Sequence, residues 1–405
     1  MLDINFIREN KKQVKDGAGN KGAKIDLEKI LALDEELKNL RAKIEGLRRR
    51  GNEAASKRDI ENGKKVKQGL ADLEPGLKEK EKQFEILMRQ IPNPPALDVP
   101  IGKDESDNIV ARKWGEPTKF DFKARDHIEL GKINAMIDIE RATKVSGARF
   151  YYLKGDAVRI ELALIQLAIA KLTPKGFTPI IPPHLISEKA MAGMGYLDHG
   201  GDQETYHFEK DNLYLIGTSE QAIGAMHMDE IIAEKDLPFH YAGFSPCYRR
   251  EAGSYGKDTA GILRSHQFDK IEMFTFCLPE ESEKEHQKLL AIEEEIMQEL
   301  QLPYQVINIC TGDLGAPASK KYDIEAWIPS QEKYRETHST SNCTDFQARR
   351  LKIRVKRKNG KTEFLHMLNG TAMAIGRTLI AIMENYQTKD GKIEIPEGLK
   401  KYMIQ

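Results

Sequence analysis

Apolar residues recur at alternating intervals of four and three along the N-terminal part of the chain, in two separate runs. The first run comprises Leu33, Leu37, Leu40, Ile44 and Leu47, and Leu27 and Ile30 extend it towards the N-terminus. The second comprises Val66, Leu70, Leu73, Leu77, Phe84, Leu87 and Ile91, with Lys80 at its one missing position. Such spacing is typical of helices that pack side by side in a coiled coil. Turn residues lie between them at Arg58–Gly63, most clearly at Asn62-Gly63, and predict an antiparallel helical hairpin over about 27–91.

One pair of residues disagrees with the second helix of this hairpin. Pro75-Gly76 lies inside its apolar run, where proline removes a main-chain hydrogen bond and collides with the preceding turn, so we expect a kink. The prolines of Ile91–Pro95 end the helix. We therefore predict an N-terminal domain over 1–97, a polar linker over 98–108 and a second domain over 109–405.

The pattern beyond the linker mixes strands and helices. A helix that is apolar almost all round must bury more than one face, and alternating runs around turn residues predict hairpins. The predicted elements are a helix at Asp156–Leu172, an extended segment at Phe177–Pro183, hairpins at Ser245–Phe276 and Arg349–His366, and a helix at Thr371–Gln387. Hairpins interleaved with helices predict an α+β fold, an antiparallel sheet flanked by helices.

Length and composition narrow the possible classes of protein. A chain of 405 residues is too long for one compact core, so two domains are expected. The four cysteines lie far apart and form no CxxC pair, which indicates reduced thiols and a cytoplasmic protein. No signal-like or membrane-spanning stretch occurs. The absence of GxGxxG, GxxxxGK[ST] and HExxH motifs gives no support to a Rossmann, P-loop or zinc-protease site.

Positive charge is concentrated at the far end of the predicted hairpin. The chain has 63 basic and 63 acidic residues, so any nucleic-acid partner must be attracted by a local patch. Between Arg41 and Lys67 there are ten basic and four acidic residues. This stretch is either the solvated face of a coiled coil or a surface that binds a phosphate backbone.

The segment Ser245–Phe276 contains the side chains best suited to binding a ligand. Arg249 and Glu251 are two apart, which predicts that they share one face of the first strand of the hairpin. Phe268, Lys270, Glu272 and Phe274 alternate in the same way along the second strand. An arginine grips phosphate, an aromatic ring stacks on a base, and carboxylates attract an amine or a metal ion. The same residues are also compatible with a purely structural ion-pair network.

Several segments, in order along the chain, resemble the class II aminoacyl-tRNA synthetases. Ser245–Phe276 is similar to their motif 2 in the form typical of seryl-tRNA synthetases. Leu365–Gln387 resembles motif 3, and Asp156–Leu185 resembles motif 1, through which such enzymes dimerise. Tyr214–Glu220 and Tyr334–Arg350 resemble two further blocks of that family. The resemblance implies a homodimer that activates serine with ATP and Mg²⁺ and charges tRNA(Ser), possibly also tRNA(Sec).

The resemblance also implies a role for individual residues. Arg249, Glu251 and Arg377 would be catalytic, and Arg249 would hold both the α-phosphate of ATP and the serine carboxylate. Serine would bind to Arg249, Thr218, Ser219, Glu220, Glu272, Asn369 and Thr371. ATP would bind to Arg249, Arg250, Glu251, Phe268, Glu336, Thr337, His338, Ser339 and Arg377, with Mg²⁺ on Glu336 and Ser339. The tRNA would lie on Arg41, Lys43, Arg48, Arg49, Arg50, Lys57 and Arg58 of the hairpin.

Some residues depart from the family pattern or invite another interpretation. His338 is unexpected beside the metal-binding positions, Thr371 replaces a serine usual in bacterial relatives, and the hairpin is shorter than usual. His266 and Lys270 are interpreted as hydrogen-bonding or ion-pairing residues, because adenylate formation needs no dedicated base. The alternatives are a non-catalytic paralogue that binds RNA or protein, and an adenylating ligase that charges a carrier protein.

Overall fold

The computed structural model describes residues 2–252 and 261–404. By its main-chain contacts the chain separates into two compact units, Met1–Pro94 and Pro95–Gln405. Among the described residues, no helix combines the length and the apolar character that crossing a membrane requires. The two units are described separately.

The first unit consists of four helices. They are α1 (Ile4–Glu9), α2 (Lys11–Asn20), α3 (Leu27–Ser56) and α4 (Ile60–Arg89). At the end of the hairpin nearest both termini of the unit, side chains from all four helices form a small core that includes Ile7, Val14, Ile30 and Met88. The carboxylate of Asp34, largely buried, pairs with Arg8 there.

Helices α3 and α4 form the predicted antiparallel hairpin. Leu33, Leu37 and Ile44 are buried along α3, and the matching apolar side chains of α4 are half-buried against them. Lys80 occupies the gap in the second apolar run and pairs with Glu36 across the hairpin. The predicted coiled-coil arm is therefore confirmed.

The turn of the hairpin lies earlier than its sequence predicts. Helix α4 already begins at Ile60, and Asn62-Gly63 lies inside its first turn. The physical reason is an N-cap, since the Asp59 carboxylate accepts a hydrogen bond from the Asn62 main-chain nitrogen at 3.1 Å. Arg58, just before the cap, reverses the chain with a φ of 52°. The prediction of a turn at Asn62-Gly63 was wrong.

Helix α4 runs without interruption through Pro75. Pro75 and Gly76 are both exposed, and an added Cβ at Gly76 would meet no atom within 4 Å. The proline thus costs one main-chain hydrogen bond without ending the helix, and the kink itself stays a prediction.

Within the described residues, the second unit contains the remaining helices and all sixteen strands. Its helices are α5 (His127–Ile133), α6 (Ile139–Ser146), α7 (Asp156–Leu172), α8 (Glu188–Met194), α9 (Glu220–Ala225), α10 (Ser282–Glu299), α11 (Phe346–Leu351), α12 (Ile375–Asn385) and α13 (Glu397–Lys400). Its strands are β1 (Ile109–Trp114), β2 (Ile137–Asp138), β3 (Tyr152–Leu153), β4 (Thr178–Ile180), β5 (Leu185–Ser187), β6 (His207–Phe208), β7 (Leu213–Leu215), β8 (Ile231–Ala233), β9 (Phe239–Tyr248), β10 (Gln267–Cys277), β11 (Tyr304–Asn308), β12 (Lys320–Ile328), β13 (Lys333–Asn342), β14 (Arg354–Lys356), β15 (Thr362–Phe364) and β16 (His366–Ala374).

An eight-stranded sheet in the order β1-β11-β12-β13-β16-β10-β9-β4 is the centre of this unit. Its pairs are antiparallel except for β4, which runs parallel to β9. Helices α7, α10 and α12 pack on the sheet through one large apolar core. The predicted α+β class is therefore confirmed.

Helix α7 has the bounds that its sequence predicts. Seven of its side chains, among them Ile160, Leu164 and Leu167, are buried in the core. Val158 and Leu162, on another face, are 38% and 39% exposed. A second apolar stripe therefore remains uncovered in a single copy of the chain.

Two predicted elements have different bounds in the structure. Thr371–Ala374 is strand, because β16 pairs with β10 as far as Ala374, and the helix begins only at Ile375. Arg349 lies in helix α11, and the hairpin around Asn359-Gly360 is confined to β14 and β15. In both cases a neighbouring element supplies hydrogen bonds that the local pattern does not reveal.

The polar segment 98–108, predicted as a linker, lies within the second unit. Val99 is buried in a small cluster with Ile307 and Ile309. The Lys320 ammonium pairs with Asp98 at 2.5 Å. The start of the segment is therefore packed on the second unit.

Pro75→Ala should stabilise the arm, because proline in a helix interior costs about 3 kcal/mol relative to alanine. Hydrogen exchange of the amides of α4 measures this directly, and their protection should rise. Gly76→Ala, at the next exposed position, is the matched control and should gain about 1 kcal/mol. Unchanged protection in Pro75→Ala would show that the helix already compensates for the proline.

Candidate active site

Strands β9 and β10 lead into a cleft at one end of the sheet. Strand β9 ends at Tyr248, opposite Gln267 of β10, so Arg249 and Glu251 follow the strand instead of lying on it. Glu251 has a φ of 50°. The prediction that both share a strand face was therefore wrong, yet both side chains line the cleft.

The cleft encloses about 540 Å³ of space between its side chains, part of it open to solvent. Seven residues predicted from the sequence line it together. They are Arg249, Glu251, Phe268, Glu336, Thr337, Thr371 and Arg377.

Both the side chain and the main chain of Arg249 are held in place by neighbouring residues. Its Nε donates to the carbonyl oxygen of Gly217 at 3.1 Å, and its guanidinium lies 5.3 Å from the centre of the Phe268 ring. His266 donates from Nδ1 to the Arg249 carbonyl oxygen at 3.0 Å. The guanidinium is thus oriented beside an aromatic ring before any ligand binds.

Arg377, in the first turn of α12, reaches across to β13. It lies 3.0 Å from the Glu336 carboxylate and donates to the Glu336 carbonyl oxygen at 3.1 Å. Loss of water around this carboxyl group favours its neutral form, but Arg377, Lys321 and Arg249 outweigh that effect and lower the pKa of Glu336 to about 2. Glu336 is therefore ionised.

A bulge in β13 decides which side chains accompany Glu336. Glu336 lies opposite Glu325 and Ser339 lies opposite Asp323, so Thr337 is an extra residue in the strand. Glu325 and Asp323 are two apart and share a face of β12, and their partners Glu336 and Ser339 therefore share a face as well. Without the bulge, a spacing of three would place them on opposite faces.

This pair of oxygen ligands fits a hard divalent cation. An ionised carboxylate and a hydroxyl on one face are ligands that Mg²⁺ accepts together with substrate phosphates and water. Asp323, which hydrogen-bonds Ser339, lies close behind, although burial raises its pKa to about 6. No larger group of His, Cys, Asp and Glu suited to a metal occurs in residues 2–252 and 261–404.

His338 lies on the opposite face of β13 from Glu336. Its ring is buried, and burial lowers its pKa to about 4, so it is neutral. It is not among the residues that line the cleft. The predicted ATP contact of the His338 side chain is therefore not supported by its position.

Two further predicted residues also point elsewhere. The Ser219 hydroxyl is buried and donates to the Gly243 carbonyl oxygen at 3.0 Å. Arg250 is exposed and lies 5.6 Å from the centre of the Tyr206 ring. Neither side chain lines the cleft around Arg249, and Ser219 serves to fix the loop before α9.

Beside the cleft floor lies a buried group of opposite charges. Lys270 and Glu272 of β10 form an ion pair at 2.5 Å, with side chains 7% and 1% exposed. Thr371 donates its hydroxyl to Glu272 at 3.4 Å. Thr218, Glu220 and Asn369, the other predicted residues of this region, are buried as well.

Glu220 is the second carboxyl group of this cluster. Tyr196 donates its hydroxyl to Glu220 at 2.6 Å. Burial and the nearby Glu272 raise the pKa of Glu220 to about 7, while Lys270, Tyr196 and Arg249 act in the opposite direction. Two carboxyl groups in one buried cluster form a site that favours a cationic ligand.

Sequence reasoning missed three residues of the site. Arg264 lies 3.8 Å from Glu251 and lines the cleft, and Lys321 contributes positive charge near Glu336. Both lie in charged stretches that a search for cations could have found. Tyr196 lies far from Glu220 in the sequence, in a segment that matches no motif, so no sequence signal connects the two.

The predicted tRNA-binding residues of the arm differ in their partners. Arg41 pairs with Glu81 at 2.8 Å and Arg48 pairs with Glu74 at 2.9 Å, both across the hairpin. Within the part of the chain that the structure describes, Lys43, Arg49, Arg50, Lys57 and Arg58 form no ion pair. Lys43 and Arg50 lie seven residues apart on one side of α3, away from Arg41 and Arg48.

Comparison with known proteins agrees with this geometry. The model for the tRNA synthetase class II core domain (G, H, P, S and T) matches residues 206–386, which include most of the cleft. The second unit thus contains the core domain of a class II aminoacyl-tRNA synthetase. The model for the seryl-tRNA synthetase N-terminal domain matches residues 1–95.

Full-length relatives identify the family. The serine–tRNA ligase of Borrelia garinii is 44% identical, with 99% of this chain and 98% of that protein aligned. The seryl-tRNA synthetase of Pyrococcus horikoshii, solved with ATP, is 41% identical with a TM-score of 0.91, covering 100% of this chain and 98% of that one. The cytoplasmic serine–tRNA ligase of Naegleria fowleri, solved with AMP, is 35% identical with a TM-score of 0.87, covering 100% and 97%.

The chain belongs to the seryl-tRNA synthetase family. The predictions of the family, of the fold class and of ligase function are confirmed.

Lys270→Met should destabilise the second unit by about 3–5 kcal/mol, because it leaves the buried Glu272 carboxylate without its cation. Urea or thermal unfolding measures the loss. Adding Glu272→Leu in the same chain should recover most of it, since an apolar pair replaces the charges without leaving one alone. Equal stability of Lys270→Met and the parent protein would mean that Glu272 is already neutral.

Proposed function

We propose that this protein activates L-serine with ATP and transfers the seryl group to the 3′ end of tRNA(Ser). One observation carries the proposal: a cleft lined by arginines and an aromatic ring adjoins a buried cluster with two carboxyl groups. The first region suits a nucleotide and the second suits the ammonium group of an amino acid. That the Pyrococcus relative was solved with ATP supports the first assignment.

ATP binding follows from the side chains around the cleft. Phe268 and Glu251 both line the cleft, where adenine would stack on the Phe268 ring and donate from its amino group to Glu251. Arg249 binds the α-phosphate and the serine carboxylate, while Arg377 binds the γ-phosphate. Two negatively charged groups are thereby brought together against the same guanidinium.

Serine binding depends on the buried carboxylates. Glu220 and Glu272 receive the ammonium and hydroxyl groups of serine, and Thr218, Asn369 and Thr371 complete the pocket. A buried site that hydrogen-bonds a hydroxyl rejects the analogue without it by roughly 10⁴–10⁵, because its own polar groups are then left unpaired. Alanine should therefore be a very poor substrate.

The reaction is an in-line attack of the serine carboxylate on the α-phosphate, with pyrophosphate as the leaving group. Negative charge grows on phosphoryl oxygens that Arg249 and Arg377 face, so preorganised cations stabilise the transition state. The ribose hydroxyl of the tRNA end then attacks the seryl carbonyl carbon, and AMP leaves. No side-chain nucleophile takes part.

Glu336 and Ser339 would hold Mg²⁺, which supplies further charge neutralisation to the phosphates when bound. The shared face created by the β13 bulge and the low pKa of Glu336 support this assignment.

The arm supplies the proposed tRNA contact. Lys43, Arg49, Arg50, Lys57 and Arg58 carry charge that no neighbouring carboxylate neutralises within the described residues, which suits a phosphate backbone. The same surface would serve tRNA(Sec) as a further acceptor.

A homodimer and a cytoplasmic location complete the proposal. The exposed apolar side chains of α7, Val158 and Leu162, and Ile181 after β4 support an interface with a second copy. All four cysteines are free and buried, which suits a reducing compartment.

Serine-dependent ATP–pyrophosphate exchange, measured without tRNA, tests the catalytic proposal. The parent protein should exchange with serine and not with alanine, threonine or glycine. Arg249→Ala should lower the rate by about 10²–10³, the usual cost of removing one preorganised donor of charge stabilisation. Arg112→Ala is the matched control, since Arg112 is a paired, half-exposed arginine on edge strand β1, and it should leave exchange unchanged.

Absence of exchange from folded parent protein with Mg²⁺ present would favour the non-catalytic paralogue. Exchange with serine followed by no charging of tRNA would favour the ligase that charges a carrier protein.

Lys43→Ala/Arg50→Ala should raise the KM for tRNA(Ser) and reduce its salt dependence by roughly two phosphate contacts, because each neutralised phosphate releases counterions. Arg41→Ala/Arg48→Ala, at cross-hairpin pairs, should change KM less. Exchange without tRNA should be the same in both. Equal charging kinetics in Lys43→Ala/Arg50→Ala and the parent would place the tRNA elsewhere.

A further inference from the structure

Helix α8 ends beside the buried cluster that contains Glu220 and Glu272, and side chains of helix α11 contact this end. Its last residue, Met194, is followed by Gly195, which has a φ of 90°, and then by Tyr196. Two side chains of α11 cap this end. Gln347 donates from Nε2 to the Met194 carbonyl oxygen at 3.2 Å, and Arg350 donates to the Ala192 carbonyl oxygen at 3.2 Å. Side chains of α11 therefore hold the main chain just before Tyr196.

A side chain of the same helix also holds the segment just after Tyr196. Arg350 pairs with the Asp198 carboxylate, and its side chain is only 4% exposed. Its guanidinium also lies 4.3 Å from the centre of the Phe346 ring, which is itself buried. A planar guanidinium held by a carboxylate, a carbonyl group and a ring has little freedom to move.

Tyr196 links this fixed segment to the carboxyl group of Glu220 through a hydrogen bond. The Tyr196 hydroxyl donates to the Glu220 carboxyl group at 2.6 Å, and burial and the neighbouring Glu220 raise the pKa of the tyrosine well above its ordinary value, so the hydroxyl keeps its proton. Repulsion by the nearby Glu272 disfavours the charged form of Glu220. A hydrogen-bond donor is therefore needed to stabilise the Glu220 carboxylate and fix its orientation. The tyrosine hydroxyl supplies that donor without adding a positive charge that would compete with a cationic ligand.

We infer that Tyr196 is a positioning residue for the amino-acid pocket, which orients Glu220 toward the ammonium group of the substrate, and that Arg350 acts through it. The inference rests on the proposed function, since it assumes that Glu220 binds serine. It adds a residue outside every motif of the sequence, and it explains why α11, which does not line the cleft, contacts the segment before the pocket.

A purely structural role for Tyr196 predicts a different result. Loss of one buried hydrogen bond would then lower stability and leave the kinetics of the folded protein unchanged. A positioning role instead changes the KM for serine, because hydrogen bonds to charged groups affect binding roughly 10- to 100-fold.

The test is steady-state ATP–pyrophosphate exchange with Tyr196→Phe, in which the ring is kept and the hydroxyl is removed. The KM for serine should rise roughly 10- to 100-fold, with the KM for ATP unchanged. Tyr304→Phe is the matched control, because the buried Tyr304 also donates to a carboxylate, that of Glu294 at 3.0 Å, but far along the sheet at β11. Its KM for serine should equal that of the parent. Arg350→Lys should change the KM for serine in the same direction and by less.

A double-mutant cycle with Glu220→Gln decides whether the effect passes through Glu220. In that background Tyr196→Phe should add little, because the carboxylate that it positions is gone. A KM for serine in Tyr196→Phe equal to the parent value, or effects of the two substitutions that simply add, would overturn the inference. Parent protein without serine-dependent exchange would instead overturn the proposed function, so the two failures are distinct.

Discussion

Strand β10 is hydrogen-bonded to β9 along one edge and to β16 along the other, and the charged groups of the site depend on this double pairing. Glu272 lies opposite Gly243 on one side and Thr371 on the other. Neither Lys270 nor Glu272 can move far without breaking main-chain hydrogen bonds on both sides. A buried ion pair is tolerable only with such fixed geometry, because its desolvation is offset only at close range.

The two regions of the site differ in their balance of charge. Arg249, Arg264 and Arg377 outnumber the carboxylates of Glu251 and Glu336 in the open cleft, whereas the carboxyl groups of Glu220 and Glu272 outnumber Lys270 deeper in the unit. Each region is stabilised by its own counter-charges before any ligand binds. In the proposed reaction, a nucleotide and an amino acid bring the complementary charges in the same order, and their reacting groups would meet where the two regions adjoin, at Arg249. Cations fixed in this way need no reorganisation as charge develops.

Sequence periodicity predicted the long elements well, and local competition explains where it was wrong. An apolar helix or a heptad run is repeated over many residues, so single exceptions such as Pro75 do not hide it. At the turn of the hairpin, the Asp59 cap prevailed over the Asn62-Gly63 signal, because a cap satisfies main-chain donors that a turn leaves free. The bulge at Thr337 and the contact of Tyr196 with Glu220 depend on pairing between distant segments, which a single sequence does not contain.

His338 and His266 illustrate why the proposed chemistry depends on cations and not on a general base. His338 is buried behind β13, and its low pKa keeps it neutral. His266 donates from Nδ1 to the Arg249 carbonyl oxygen, so its ring is already used to hold the chain that carries the guanidinium. A base is also unnecessary for a serine carboxylate, which is ionised near neutral pH and attacks without losing a proton. Both histidines therefore have structural contacts, and in the proposed mechanism the rate depends on arginines such as Arg249, whose main chain His266 helps to hold.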